Sequence, residues 1–126
     1  MDKKKIFQLH SEHNEWLNRL DFYKQDIKFL ADRVEEISAK NSDKEVLALC
    51  EHYSNSLDIQ LNEAQKLKHA IKNHEKLVEQ EIHLYPIAVD HRSMDDHAQE
   101  REDIERFEHI FTELRKELIR FFSKWM

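Results

Sequence analysis

The sequence predicts an all-α protein: a long antiparallel three-helix bundle, running up-down-up, with coiled-coil-like heptad packing. Three observations lead there. Gly is absent and Pro occurs once, which removes the residues that tight hairpin turns, bulges and phosphate-cradling loops require. Charged residues make up 37% of the chain beside 40% hydrophobic, the mixture found in long amphipathic helices. Apolar residues also recur at alternating spacings of three and four along almost the whole chain, the signature of a heptad seam. At 126 residues the chain fits a single domain, 1–126, expected to bury about two thirds of its unfolded surface without help from disulfides.

The first helix is expected over about 4–40. Its seam reads Ile6, Leu9, His13, Trp16, Leu20, Tyr23, Ile27, Leu30, Val34 and Ile37. The pattern stops at Asn41-Ser42-Asp43, where Ser42 and Glu45 have the spacing of a capping box. The second helix, 43–84, continues with Val46, Cys50, Tyr53, Leu57, Gln60, Ala64, Leu67, Ile71, His74, Val78 and, less cleanly, Ile82. Tyr85-Pro86 should end it, because the residue before proline avoids the α region. A loop over 85–93 follows, with Ser93 and Asp96 as a second capping box. The third helix, 94–125, carries His97, Glu100, Ile104, Phe107, Phe111, Leu114, Leu118, Phe121 and Trp125. The short first connection makes the first two helices an antiparallel hairpin, and a strict heptad implies a left-handed supercoil.

Some apolar residues fall off the seams. Phe22 and Phe29 share an outer position of the first helix, and Ile59, Ile119 and Phe122 lie at similar heights. They read either as a wide core stripe or as a self-association face through which dimerisation completes a larger bundle. Gln60, polar in mid-seam, reads as a register device that pairs with Tyr23 or nearby backbone. Cys50 and the seam aromatics read as core, and Arg101, Glu102 and Asp103 as a solvated face.

Composition excludes several functions. Without glycine there is no Rossmann or P-loop phosphate site. The net charge of −6, with both signs interspersed, argues against nucleic acid and against a basic membrane-surface helix. No apolar run is long enough to span a bilayer. The opening MDKKKIFQLH has no apolar stretch behind its lysines, so no secretory leader is expected. The single cysteine suits a reducing, cytoplasmic setting.

The nine histidines carry the chemical signal. His10, His13, His69, His74, His83, His91 and His97 map toward one end of the bundle. His13, His74 and His97 take seam positions, one per helix, and Glu100 takes the next seam position after His97. Counting helical rise from the two connections brings these four within about 12 Å of one another. Buried unpaired imidazoles and carboxylates are costly, so four at one level need a shared partner. One divalent transition metal (Zn, Fe, Cu or Ni) is such a partner, held by His13, His74, His97 and Glu100 with His10 as a spare or outer ligand. The competing reading is a histidine end that is solvated, or bonded to Glu75, Glu79 or Glu12, and fixes register only. The same cluster would also titrate near neutrality as a pH sensor. HEXXH and the Glu-x-x-His pair of di-iron bundles are both absent. Nothing marks a substrate or general base, so no reaction is assigned. The alternative function is a non-enzymatic interaction protein whose partner is a second copy or another protein.

Overall fold

The computed structural model describes residues 3–84 and 86–126, with side chains for 4–79 and 94–126. Three helices account for nearly all of it: α1 (Lys3–Lys40), α2 (Lys44–Leu84) and α3 (Pro86–Trp125), with no strand among the described residues. None is long and apolar enough to cross a membrane.

The α1–α2 turn shows which residue caps α2. The Asp43 carboxylate accepts from the Glu45 and Val46 amides at 2.8 and 3.4 Å, and the Asp43 carbonyl accepts the first helical bond, from Leu47, at 3.0 Å. Asp43 is therefore the N-cap, one residue beyond Ser42. An aspartate there satisfies two orphan amides and adds a negative charge at the positive helix end. Asn41 closes α1 from the other side, donating from Nδ2 to the Ile37 carbonyl at 2.7 Å.

The expected loop over 85–93 is corrected. Helix begins at Pro86 and runs through Ser93, so that serine opens no helix. Proline suits a first helical turn, where the amide it lacks would have no intrahelical acceptor. The same residue that ends α2 therefore starts α3 directly. Tyr85 lies outside the described residues, as do the side chains of Ile82, His83, His91 and Ser93.

The buried residues are the predicted seams. Leu9, His13, Trp16, Leu20, Ile27, Leu30, Val34 and Ile37 line α1; Val46, Cys50, Leu57, Ala64, Ile71, His74 and Val78 line α2; His97, Ile104, Phe107, Phe111, Leu114, Leu118 and Phe121 line α3. Tyr23 sits edge-on to Phe107 and Phe111, with centroids 5.6 and 5.4 Å away, and Tyr53 packs on Phe121 at 5.0 Å. Contacts between α1 and α3 advance in step: Glu12 with Arg101, Arg19 with Glu108, Asp26 with Arg115. Those of α2 run in the opposite order: Lys68 meets Asp21 and Glu75 meets His13 on α1, while Tyr53 meets Phe121 and His74 meets Glu100 on α3. The accessible surface, 8484 Å², exceeds the roughly 7,000 Å² of a compact monomer of this mass, as rod-like helices side by side require.

Two expectations change with the packing. Gln60 does not pair with Tyr23, whose hydroxyl donates to Glu108; Gln60 lines an α2–α3 groove with Ile59, Leu67, Phe107 and Ile110. The wide-stripe reading also fails for most of the outer residues. Phe22, Phe29, Ile59 and Ile119 are 65, 55, 58 and 44% exposed, and only Phe122 packs against the core. The Arg33 guanidinium lies over the Phe29 ring, 5.0 Å from its centroid.

Candidate metal centre

One buried position on each helix builds the site. His13 on α1, His74 on α2 and His97 on α3 each occupy the inward position of their helix, and Glu100 follows His97 one turn later on the same face. All three rings are buried, at 0, 7 and 2% exposure respectively. Each of the four residues offers one ligand-type atom, and these atoms all lie within 4.8 Å of one another.

His13 is the hub. Its Nδ1 lies 2.5 Å from Glu75 Oε2, and its Nε2 lies 2.8 Å from Glu100 Oε2. His97 Nδ1 approaches the same His13 Nε2 at 3.2 Å and stands 3.9 Å from Glu100 Oε2. A tetrahedral site with metal–ligand distances near 2.0–2.1 Å has ligand–ligand edges of roughly 3.3 Å. The three separations bracket that edge. Two imidazole nitrogens and a carboxylate oxygen are thus grouped near the spacing of such a face, with the shortest pair joined by a hydrogen bond.

His74 supplies the fourth donor and the least expected observation. Its Nδ1 is 2.7 Å from Glu100 Oε1, yet the approach is off the line a hydrogen bond needs. Both of its buried nitrogens lack a hydrogen-bond partner among the described residues. Leaving buried polar atoms unsatisfied is destabilising, by about 1–3 kcal/mol for a single group. A ring placed so wants a partner that approaches along its lone pair, which is what a cation does.

Carboxylates stand behind two of the rings. Glu75 holds His13 Nδ1 and, through its other oxygen, His10. Glu12 Oε1 lies 3.3 Å from His97 Nε2, and both Glu12 oxygens accept from Arg101, at 2.9 and 2.8 Å. Glu75 is hydrogen-bonded to His13 Nδ1, the arrangement that orients a ligating ring. Glu12 stands beside His97 Nε2 without a hydrogen bond to it, so that buried nitrogen, like both of His74, is unsatisfied among the described residues. Trp16 closes one side, stacked on His97 with centroids 4.6 Å apart.

Electrostatics follow from the same contacts. Burial pulls His13 down, but hydrogen bonds to Glu100 and Glu75 outweigh it and leave its pKa raised. His97 is lowered, chiefly by burial, against the opposing pull of Glu12. Burial pushes Glu100 up, and its hydrogen bond to His13 together with the charge of the neighbouring His74 and His13 rings more than reverses this, so it stays ionised. Glu75 and Glu12 are lowered likewise, the first by His10 and His13, the second by Arg101 and His97. His13 is therefore satisfied without a metal, which is what the structural reading requires; His74 is not.

Of the sequence-predicted ligands, His13, His74, His97 and Glu100 converge. His10 does not join them: it is 51% exposed and bonds Glu75 at the rim. His69 is exposed, and His52 and His109 flank the α2–α3 groove away from the site. Arg101 is exposed, as the solvated-face reading expects; its contact with Glu12 was not read from the sequence. Its position one turn beyond His97 on the same face was the available signal. Comparisons with protein-family models, curated proteins and solved structures returned no match.

Proposed function

We propose that the chain is a metal-binding helical bundle, its helices running up-down-up, in which His13, His74, His97 and Glu100 hold one divalent transition metal ion. The carrying observation is the buried His74 ring, with neither nitrogen hydrogen-bonded, set among three further donors drawn from all three helices. Three neutral nitrogens and one oxygen suit Zn, Fe, Cu or Ni better than Mg or Ca, which favour all-oxygen shells. Ligands from three helices let the ion tie the bundle end together, and binding stabilises the folded state by mass action. The reading is metal binding, with no reaction assigned. The lone buried cysteine, whose thiol burial pushes up, fits a cytoplasmic protein.

The test is metal quantitation on untagged protein purified without chelators, by inductively coupled plasma mass spectrometry. Near one equivalent of a single metal is expected, lost in His74→Ala. Trace mixed metal, or unchanged uptake by His74→Ala, overturns the assignment.

The exposure of Phe22, Phe29, Ile59 and Ile119 favours a second, compatible reading: association of two copies through this outer face. Light scattering across a concentration series tests it. A dimer that Phe22→Asp with Phe29→Asp converts to monomer supports self-association, and a strict monomer at every concentration removes it.

A further inference from the structure

Glu75 divides its carboxylate between two unlike histidines. One oxygen bonds His10, 51% exposed, and the other lies 2.5 Å from Nδ1 of His13, which is fully buried. Glu75 itself is 19% exposed. It forms a continuous polar path from solvent to the inner donor set, built from an imidazole and a carboxylate, both ligand types for the metals named above.

The corresponding carboxylate behind His97 is arranged differently. Both oxygens of Glu12 accept from the Arg101 guanidinium, a fixed positive charge that repels an arriving cation. Trp16 covers His97 on another side with its ring face. Of the two carboxylates that back the site, one is capped by a cation and the other by a second metal-binding side chain.

Resting on the metal-site reading, we infer that His10 and Glu75 are the loading gate of this centre: a divalent cation is captured at the rim between them and passes inward to His13, His74, His97 and Glu100. His10 then acts on rate and not on the final coordination. A negative, donor-lined entrance raises the local concentration of a cation and its on-rate. Since His10 is outside the final donor set, removing it slows entry and escape by the same factor and leaves affinity alone.

The probe is Co²⁺ added to the chelated 126-residue chain, followed by stopped-flow visible absorbance, with release measured by chelator chase. Circular dichroism checks that each variant is folded. His10→Ala should load and release about tenfold more slowly, with one equivalent bound and the wild-type end-point spectrum. His10→Asp should restore most of the rate, and His10→Lys should load more slowly than His10→Ala. Loading of His10→Ala at the wild-type rate overturns the gate while leaving the metal site intact. A reduced stoichiometry or changed end-point spectrum also overturns it, because His10 would then be a ligand. A wild-type chain that takes up no Co²⁺ overturns the site reading and the gate with it.

Discussion

From Tyr23 to Phe121 the inward positions hold hydrocarbon almost throughout, Gln60 being the polar exception: Phe107, Phe111 and Leu118 from α3 share a continuous core with Ile27, Leu30 and Leu57. At the other end the inward positions of the same helices hold His13, His74, His97 and Glu100. Burial is as complete at both ends, since His13 and Leu118 are both at 0% exposure. What differs is how burial is made favourable. Hydrocarbon gains by leaving water whatever its neighbours, in rough proportion to area. An imidazole gains only when each nitrogen meets a partner in the right direction. The aromatic half is therefore stabilised residue by residue, and the histidine half as a set.

Breaking the aromatic half should have the largest effect. Phe111→Ala removes a fully buried ring and should destabilise the protein by about 3–5 kcal/mol. In urea unfolding the loss should be the same with metal or with chelator, because the cavity is remote from the donors.

Metal removal should come next and should act on the histidine half alone. Ligand at a hundredfold excess over its dissociation constant stabilises a folded protein by about 2.7 kcal/mol. Chelation should lower the melting temperature of the wild type accordingly and leave that of Glu100→Gln, which lacks the ionised oxygen, nearly unchanged. Equal shifts in both proteins would mean that the ion sits elsewhere.

A smaller effect of opposite sign sharpens the contrast. In chelated protein His74→Leu replaces a ring with two unpaired nitrogens by hydrocarbon of similar bulk. Stability should rise by about 1 kcal/mol, while metal uptake is lost. If chelated His74→Leu proves less stable than the wild type, His74 is a structural polar residue after all.

Acid and alkali should separate the two halves further. Glu12, Glu75 and Glu100 have lowered pKa values in the fold, so the unfolded chain binds more protons and their contribution is lost as pH falls through the carboxylate range. His97, also lowered, acts in the same direction through the histidine range. His13 is raised and acts the other way: its contribution is present in acid and lost as pH rises through its folded value. At the aromatic end Tyr23 is pushed up to about 12, by burial first and its bond to Glu108 second. Here the folded state holds the proton longer, so stability should decline between pH about 10 and about 12. Tyr23→Phe should flatten that alkaline limb in a pH series of thermal melts and leave the acid limb unchanged.

The seams were legible because burial on a helix follows a period, and a period survives in one dimension. His13, His74 and His97 could be placed near one level from helical rise, since the first connection was visible at Asn41-Ser42-Asp43 and the second was located, though drawn too long, at Pro86. Local competition between neighbours was not legible. Ser42 and Asp43 are both good caps, and which one takes the role depends on a single residue of helix phase. Pro86 reads as a stop for the preceding helix and equally as the first residue of the next.

The sequence by itself determined the all-α class, the residues that face inward and the four polar groups that interrupt them, because each depends only on spacing along a helix. Only the tertiary structure decided which carboxylate backs which ring, that Arg101 latches Glu12, that His10 stays at the rim and that His74 is left without a hydrogen bond. Those outcomes depend on the mutual rotation and offset of three helices over a few ångströms. Hydrophobic burial tolerates such shifts, whereas a hydrogen bond or a coordination bond does not.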